Sequence, residues 1–278
     1  MSNWKQFVSL ALLISFWGSA FPLIKIILDF MSPFLIALIR VLVGGTVLLL
    51  VSRRFIYGVK ESISAILNIG LFLILLNLGI EFSPNPGLAS TLIYTQPIFV
   101  LILSRVILKE KINLLQAMGI LTAFLGIFAS VGGGGFDLGS LISLGGGLTW
   151  ALGTIYYRVN LRDRDVLALN SYMSLFSSLI IFPVSLLNFK IEWNAEGIGL
   201  ALLVSITAQA LGFILWFSTV RSIGPVKASS AVLLVPVSSY LFSYLLLGEI
   251  PSVIEIIGSA VTLTGVFLTF LPGIGVRK

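Results

Sequence analysis

Long apolar runs alternate with short polar breaks along almost the whole chain. Ten of these runs are long enough to cross about 30 Å of hydrocarbon at about 1.5 Å of rise per helical residue. The first five extend roughly from Phe7 to Leu28, Pro33 to Val51, Ile63 to Ile80, Gly87 to Leu108 and Leu114 to Val131. The second five extend roughly from Leu138 to Tyr157, Leu167 to Leu187, Ile198 to Val220, Val226 to Leu247 and Val253 to Leu271. The breaks hold turn formers and charges, such as Met31-Ser32-Pro33, Arg53-Arg54, Ser83-Pro84-Asn85-Pro86, Lys109-Glu110-Lys111, Gly132 to Gly135 and Arg162-Asp163-Arg164-Asp165. This pattern predicts an all-α integral membrane protein of ten transmembrane helices with no separate soluble domain. The first run continues too far for a signal peptide and has no evident cleavage site, so it is expected to insert uncleaved.

Composition strengthens this reading. Hydrophobic residues make up 58% of the 278 and charged residues 10%, with a mean hydropathy of +1.10. A typical soluble domain is about 25% charged. Cysteine and histidine are both absent. Without cysteine there are no disulfides, thiolate nucleophiles or cysteine-held metals. Without histidine the commonest general base, metal ligand and proton relay are missing. No cofactor or metal is expected.

Charge sets the expected orientation. With the N-terminus inside, fourteen lysines and arginines fall on the inner face, and only Lys25 and Lys190 fall on the outer face. Arg40 remains inside a span. The net charge of +6 is thereby explained without nucleic acid. Both termini are expected in the cytoplasm, and the protein in the plasma membrane as a multi-pass chain.

A duplication runs through this pattern. The stretch Ser83 to Phe128 recurs, without a gap, as Ser222 to Phe267, 139 positions later. Identities in that register include Pro86/Pro225, Pro97/Pro236, Glu110/Glu249, Gly119/Gly258 and Gly126/Gly265. Trp17 and Lys25 are matched by Trp150 and Arg158, with the same spacing of eight. Five spans per half is an odd number, so a tandem duplication places the halves in opposite orientations. The expected domains are 1-132 and 136-278, two inverted five-helix repeats around a central cavity. Broken helices at matching positions of two halves point to a transporter binding site.

The segment Phe16 to Phe21, with Lys25, Ser32-Pro33 and Arg40, resembles the start of the drug/metabolite transporter superfamily, specifically its ten-helix EamA type. The runs from Thr95-Gln96-Pro97 to Gly126 and from Val235-Pro236 to Gly265 look like the closing helix pair of each EamA repeat. The resemblance implies alternating access and export or exchange of small metabolites, amino acids among them.

Candidate site residues are the polar or aromatic ones deep in spans. Trp17, Tyr94, Gln96, Trp150, Tyr156 and Trp216 could line a pocket of aromatic faces with a few orienting polar groups. Each, taken singly, also fits packing or an interfacial anchor. Arg40, about 10 Å into span two, fits either a substrate carboxylate or an ion pair with Glu81 or Asp29. Pro97 and Pro236, with Pro22 in span one, are expected to kink helices and free carbonyls for gating or binding. The glycine pairs of spans five and ten read as packing, in static elements that could also form a dimer face. All eleven acidic residues fall at span ends or in loops, which argues against a central proton site. The expected partners are a small-molecule substrate and the lipid bilayer, with the chain a monomer or homodimer. A lipid flippase is the alternative within the same superfamily. A membrane-embedded enzyme lacks any base to activate its serines.

Overall fold

The computed structural model describes residues 3–83, 91–131 and 137–271. Pro84-Asn85-Pro86, Gly87 at the start of the fourth run and the run from Gly132 to Gly135, all used in the sequence reading, lie outside the described residues. The described chain is helical: α1 Asn3–Ile27, α2 Pro33–Ser52, α3 Val59–Glu81, α4 Gln96–Val106, α5 Leu114–Ser130, α6 Leu138–Asn160, α7 Val166–Ser185, α8 Ala195–Ile223, α9 Pro225–Leu247 and α10 Val253–Phe270. Eight of them are long and apolar enough to cross a membrane, while α4, counted from Thr91, and α5 are shorter apolar helices. The protein is an integral membrane protein with no β-strand among the described residues; an isolated bridge joins Met31 to Ile191.

Local chemistry explains where helices start and stop. Pro33 opens α2, where its missing N–H costs no helical bond. Asn113 with Gln116, and Ser252 with Glu255, form reciprocal capping boxes at the starts of α5 and α10. Asp165 and Asn194 cap α7 and α8 through their side-chain oxygens. Asp137 caps α6 by accepting from the Ser140 N–H at 2.7 Å, and the Ser83 hydroxyl donates to it at 2.9 Å. The backbone bond from Ser140, with that from the Ser83 hydroxyl, holds the Asp137 carboxyl below the usual carboxylate range. Gly248, at φ 70°, takes the left-handed turn that ends α9.

Four interruptions fall at matched positions. A π-helical turn at Ile66–Gly70 widens α3, and one at Ser205–Leu211 widens α8; their first residues are 139 apart. The chain also breaks at Tyr94-Thr95 before α4 and at Leu233 within α9, three residues ahead of Pro97 and Pro236. Pro97 therefore stands in the first turn of α4, where a mid-helix kink was expected. Proline has no N–H and its ring clashes with the carbonyl four residues back, so the chain stops and restarts instead of bending. Tight turns close each break: the Tyr94 N–H donates to the Thr91 carbonyl at 2.9 Å, and the Leu233 N–H to that of Ser230 at 3.2 Å. Pro22, by contrast, lies inside an unbroken α1.

Helix pairing is equally reciprocal. α5 packs on α10, α2 on α7, α1 on α9, and α4 on α6. A Cβ on Gly119 would stand 2.6 Å from the Gly265 carbonyl oxygen, and one on Gly265 the same distance from that of Gly119. Gly126 and Gly258 face each other in the same way, so α5 and α10 run antiparallel with backbones in contact. Between these glycine pairs Thr262 donates to the carbonyl of Ala123 at 3.2 Å. The glycine faces that could have served a dimer are used here within one chain. Elsewhere, Ser171 of α7 donates to the Gly45 carbonyl of α2 at 3.0 Å, and Ser238 of α9 to the Ile14 carbonyl of α1 at 3.0 Å.

These contacts make two substitutions informative. Gly126→Leu drives a side chain into the α10 backbone and should cost about 1–3 kcal/mol, read as a lower thermal unfolding midpoint in detergent. Gly199→Ala, in α8 with nothing within 4 Å of the added methyl, should be neutral or stabilising by up to about 1 kcal/mol in the same assay.

Candidate functional site

A cavity of about 110 Å³ lies where α1, α2, α3, α6 and α8 meet the broken segment before α4. At roughly 10–15 Å³ per water on the same measure, it has room for several waters or a small ring. Its wall runs along α1 from Trp17 through Phe21 to Ile24, and Arg40, Phe72, Leu76, Tyr94, Trp150 and Phe213 complete most of it.

The aromatic floor rests on the irregular turn of α8. A π turn shifts the backbone bonding register and presents a carbonyl to a neighbour. The Trp17 indole N–H donates to the Ala208 carbonyl within that turn at 2.9 Å. Gly212 permits this approach, because a Cβ there would collide with the indole. Trp17 then meets Trp150 edge-on at 5.6 Å between centroids, and Phe213 at 5.5 Å. Phe72 sits 5.1 Å from Trp150. Beneath this layer Trp216, fully buried, lies 5.3 Å from Trp150 and 5.8 Å from Trp17. Farther along, Tyr157 and Phe217, at 4.4 Å, fill the bundle interior.

Four candidates from the sequence therefore gather at the cavity: Trp17, Arg40, Tyr94 and Trp150. Three do not reach it. Trp216 supports the floor from below. Gln96 is buried and bridges α6 and α9 by donating to the hydroxyls of Thr154, at 3.3 Å, and Ser229, at 3.1 Å. Tyr156 is half-buried at the edge of the core, while the adjacent Tyr157 points inward. The periodicity of α6 decides which of the two tyrosines enters the core, and neither lines the cavity. Phe72 and Phe213 were missed, since nothing in sequence separates them from the rest of the 20 phenylalanines. Their signal is the adjoining π turns, which appear only in three dimensions.

Arg40 forms no ion pair among the described residues; neither Asp29 nor Glu81 answers it, and its Nε has no hydrogen-bond partner. Elsewhere charges are paired at the helix ends. Arg164 meets Glu61 at 3.0 Å and Arg54 meets Asp165 at 3.7 Å, tying the α2–α3 and α6–α7 connections together. Glu61 is buried there, inside the first turn of an α3 that begins earlier than the sequence suggested. Lys25 of α1 pairs with Glu249 after α9. The matched residues, Arg158 and Glu110, stay apart: the Arg158 guanidinium donates to the Arg221 carbonyl at 3.0 Å. Burial pushes the Glu110 carboxyl above its usual range, and the Arg158 charge opposes that shift. No cluster of three or more metal-ligating side chains occurs among the described residues.

Comparison with known proteins agrees with this architecture. The profile of the EamA-like transporter family matches the chain twice, over residues 6–132 and 137–271. The uncharacterized transporter YvbV of Bacillus subtilis (strain 168) is 32% identical over 255 residues, covering 86% of this chain and 83% of its own. An uncharacterized transporter of Archaeoglobus fulgidus is 28% identical across 95% of this chain and 98% of its own. A crystal structure superposes with a TM-score of 0.82 at 17% identity, covering 97% of both chains, which shows the shared fold. The repeated match, the shared length and the helical architecture together make this chain a member of the EamA-like transporter family.

Proposed function

We propose that the chain is a secondary transporter that moves small amphipathic metabolites by alternating access, as an exporter of amino acids or similar compounds, with the aromatic-floored cavity as its binding site. The observation that carries this reading is the position of the cavity, set between matched interruptions of the helices and lined by one tryptophan from each half. The halves are residues 1-132 and 136-278, read as two inverted five-helix repeats. The reciprocal contact of α5 with α10 supports this reading, since two helices that meet antiparallel through matching glycines are related by an axis perpendicular to both. Two bundles so related have nearly equal energies when their conformations are exchanged, which is what alternating access requires.

The arginine-rich end, with Arg54, Arg158, Arg164 and Arg221, is assigned to the cytoplasm, and the Lys25 end to the outside. In that orientation the cavity wall extends outward along α1, and the packed Tyr157, Trp216 and Phe217 separate it from the cytoplasm. Lys25 with Glu249 and Arg158 with Glu110 become matched charge pairs at opposite faces, the first closed and the second parted. No carboxylate among the described residues lines the cavity, so transport is read as uniport or exchange without a proton.

Two outcomes test this. Labelled aromatic and neutral amino acids should enter proteoliposomes saturably, and Trp17→Ala should reduce that flux by at least about ten-fold, since it removes a buried ring and strands the Ala208 carbonyl. Flux that survives Trp17→Ala, or movement of a lipid probe with no solute flux, would overturn the reading. Imposing a pH gradient should leave initial rates unchanged; gradient-driven accumulation would contradict the uncoupled mechanism.

A further inference from the structure

We propose that the cavity selects small amphipathic monocarboxylates over zwitterionic amino acids, with Arg40 receiving the carboxylate; the inference rests on the cavity being the transport site. It keeps the small amphipathic metabolites of that reading, sets monocarboxylates ahead of its amino acids, and follows from the polar inventory of the wall.

Among the described residues Arg40 is the one charged residue of that wall. A guanidinium carries donors and no acceptor, and in a membrane-spanning helix an unanswered one is costly. Here it has no acidic partner among the described residues, and its buried Nε has no hydrogen-bond partner. A planar carboxylate matches the guanidinium fork and supplies both the missing charge and the missing acceptors.

The rest of the wall offers an ammonium group aromatic faces but no counter-charge among the described residues. Apart from the Tyr94 phenol and the two indoles, its side chains are hydrocarbon. Among the described residues no carboxylate, carboxamide or aliphatic hydroxyl faces the space. The Ala208 carbonyl already accepts from Trp17. The carbonyl that Pro97 deprives of its helical donor, that of Ile93, is turned against Gly147 of α6. An α-ammonium beside a bound carboxylate would therefore lose its water, gain no counter-charge, and lie close to the Arg40 cation. A compound with the same carboxylate and ring but no ammonium avoids that cost. Trp17, Trp150 and Phe72 supply faces for the ring, and the volume of about 110 Å³ suits a single small ring.

Four phenyl compounds of one size separate these possibilities: 3-phenylpropionate, phenylalanine, phenethylamine and 3-phenylpropan-1-ol. Their binding to the purified full chain in nanodiscs is read by quenching of the cavity tryptophans. The expected result is that 3-phenylpropionate binds at least about ten-fold more tightly than phenylalanine, with phenethylamine weakest. In Arg40→Gln the acid should lose this advantage and fall to the level of the alcohol, with a thermal unfolding midpoint close to the wild type's showing that the variant is folded. Arg40→Lys should restore part of the advantage. Phenylalanine binding as tightly as the acid, or an acid advantage that persists in Arg40→Gln, overturns the inference and leaves the transport reading standing. Failure of all four to bind the wild type overturns both.

Discussion

A backbone polar group in hydrocarbon has no water to bond to, and this constraint governs where the helices of this protein can break. Each interruption is found where another helix is close enough to protect it. The π turn of α8 presents the Ala208 carbonyl to the indole of Trp17. The break before Pro97 turns the Ile93 carbonyl against α6 at Gly147. The cavity is thus a by-product of backbone satisfaction: helices that must open to contain irregular turns leave space between them, and aromatic rings floor it.

Close approach comes from residues with little or no side chain. The glycines of α5 and α10 bring two backbones into contact, while serines and threonines on α7, α9 and α10 donate to carbonyls of neighbouring helices. Such contacts replace the hydrophobic effect, which cannot drive helices together in lipid. Rigid pairing of α5 with α10 leaves the remaining helices, including those around the cavity, to carry any change of shape. Exposed pairs such as Lys25–Glu249 add little stability, roughly 0–1 kcal/mol. Pairs of this strength can form and part as a transporter changes face.

Much of this was legible in the chain. Apolar run length anticipated the eight helices long enough to span, with α4 and α5 shorter than their runs suggested, and the 139-residue register matched the glycines that meet and the prolines that follow the breaks. Trp17 and Trp150, chosen as a matched midspan pair, meet at the cavity floor. Other features depend on information that no local pattern contains. Which of Tyr156 and Tyr157 faces inward is set by the rotation of α6 against its neighbours. Gln96 reads as a pocket residue because it is polar and deep, yet its bonds go to two hydroxyls brought close by folding. Arg40 was balanced between a structural ion pair and a ligand contact, and only tertiary distances remove the pairing with Asp29 and Glu81. The π turns have no sequence signature at all, and with them went Phe72 and Phe213.

The central claim is that the aromatic cavity is the place where a transported molecule sits, reached from the Lys25 end. Because the chain has no cysteine, single cysteines can test it directly. Ala20→Cys lies on the cavity wall, and Asn188→Cys lies in the exposed connection before Lys190 at the same end. The measurement is their rate of modification by a membrane-impermeant thiol reagent applied from that face, with and without a transported compound. The account predicts that the compound slows modification at position 20 and leaves position 188 unchanged. Equal rates at position 20 with and without a compound known to be transported would place the route elsewhere.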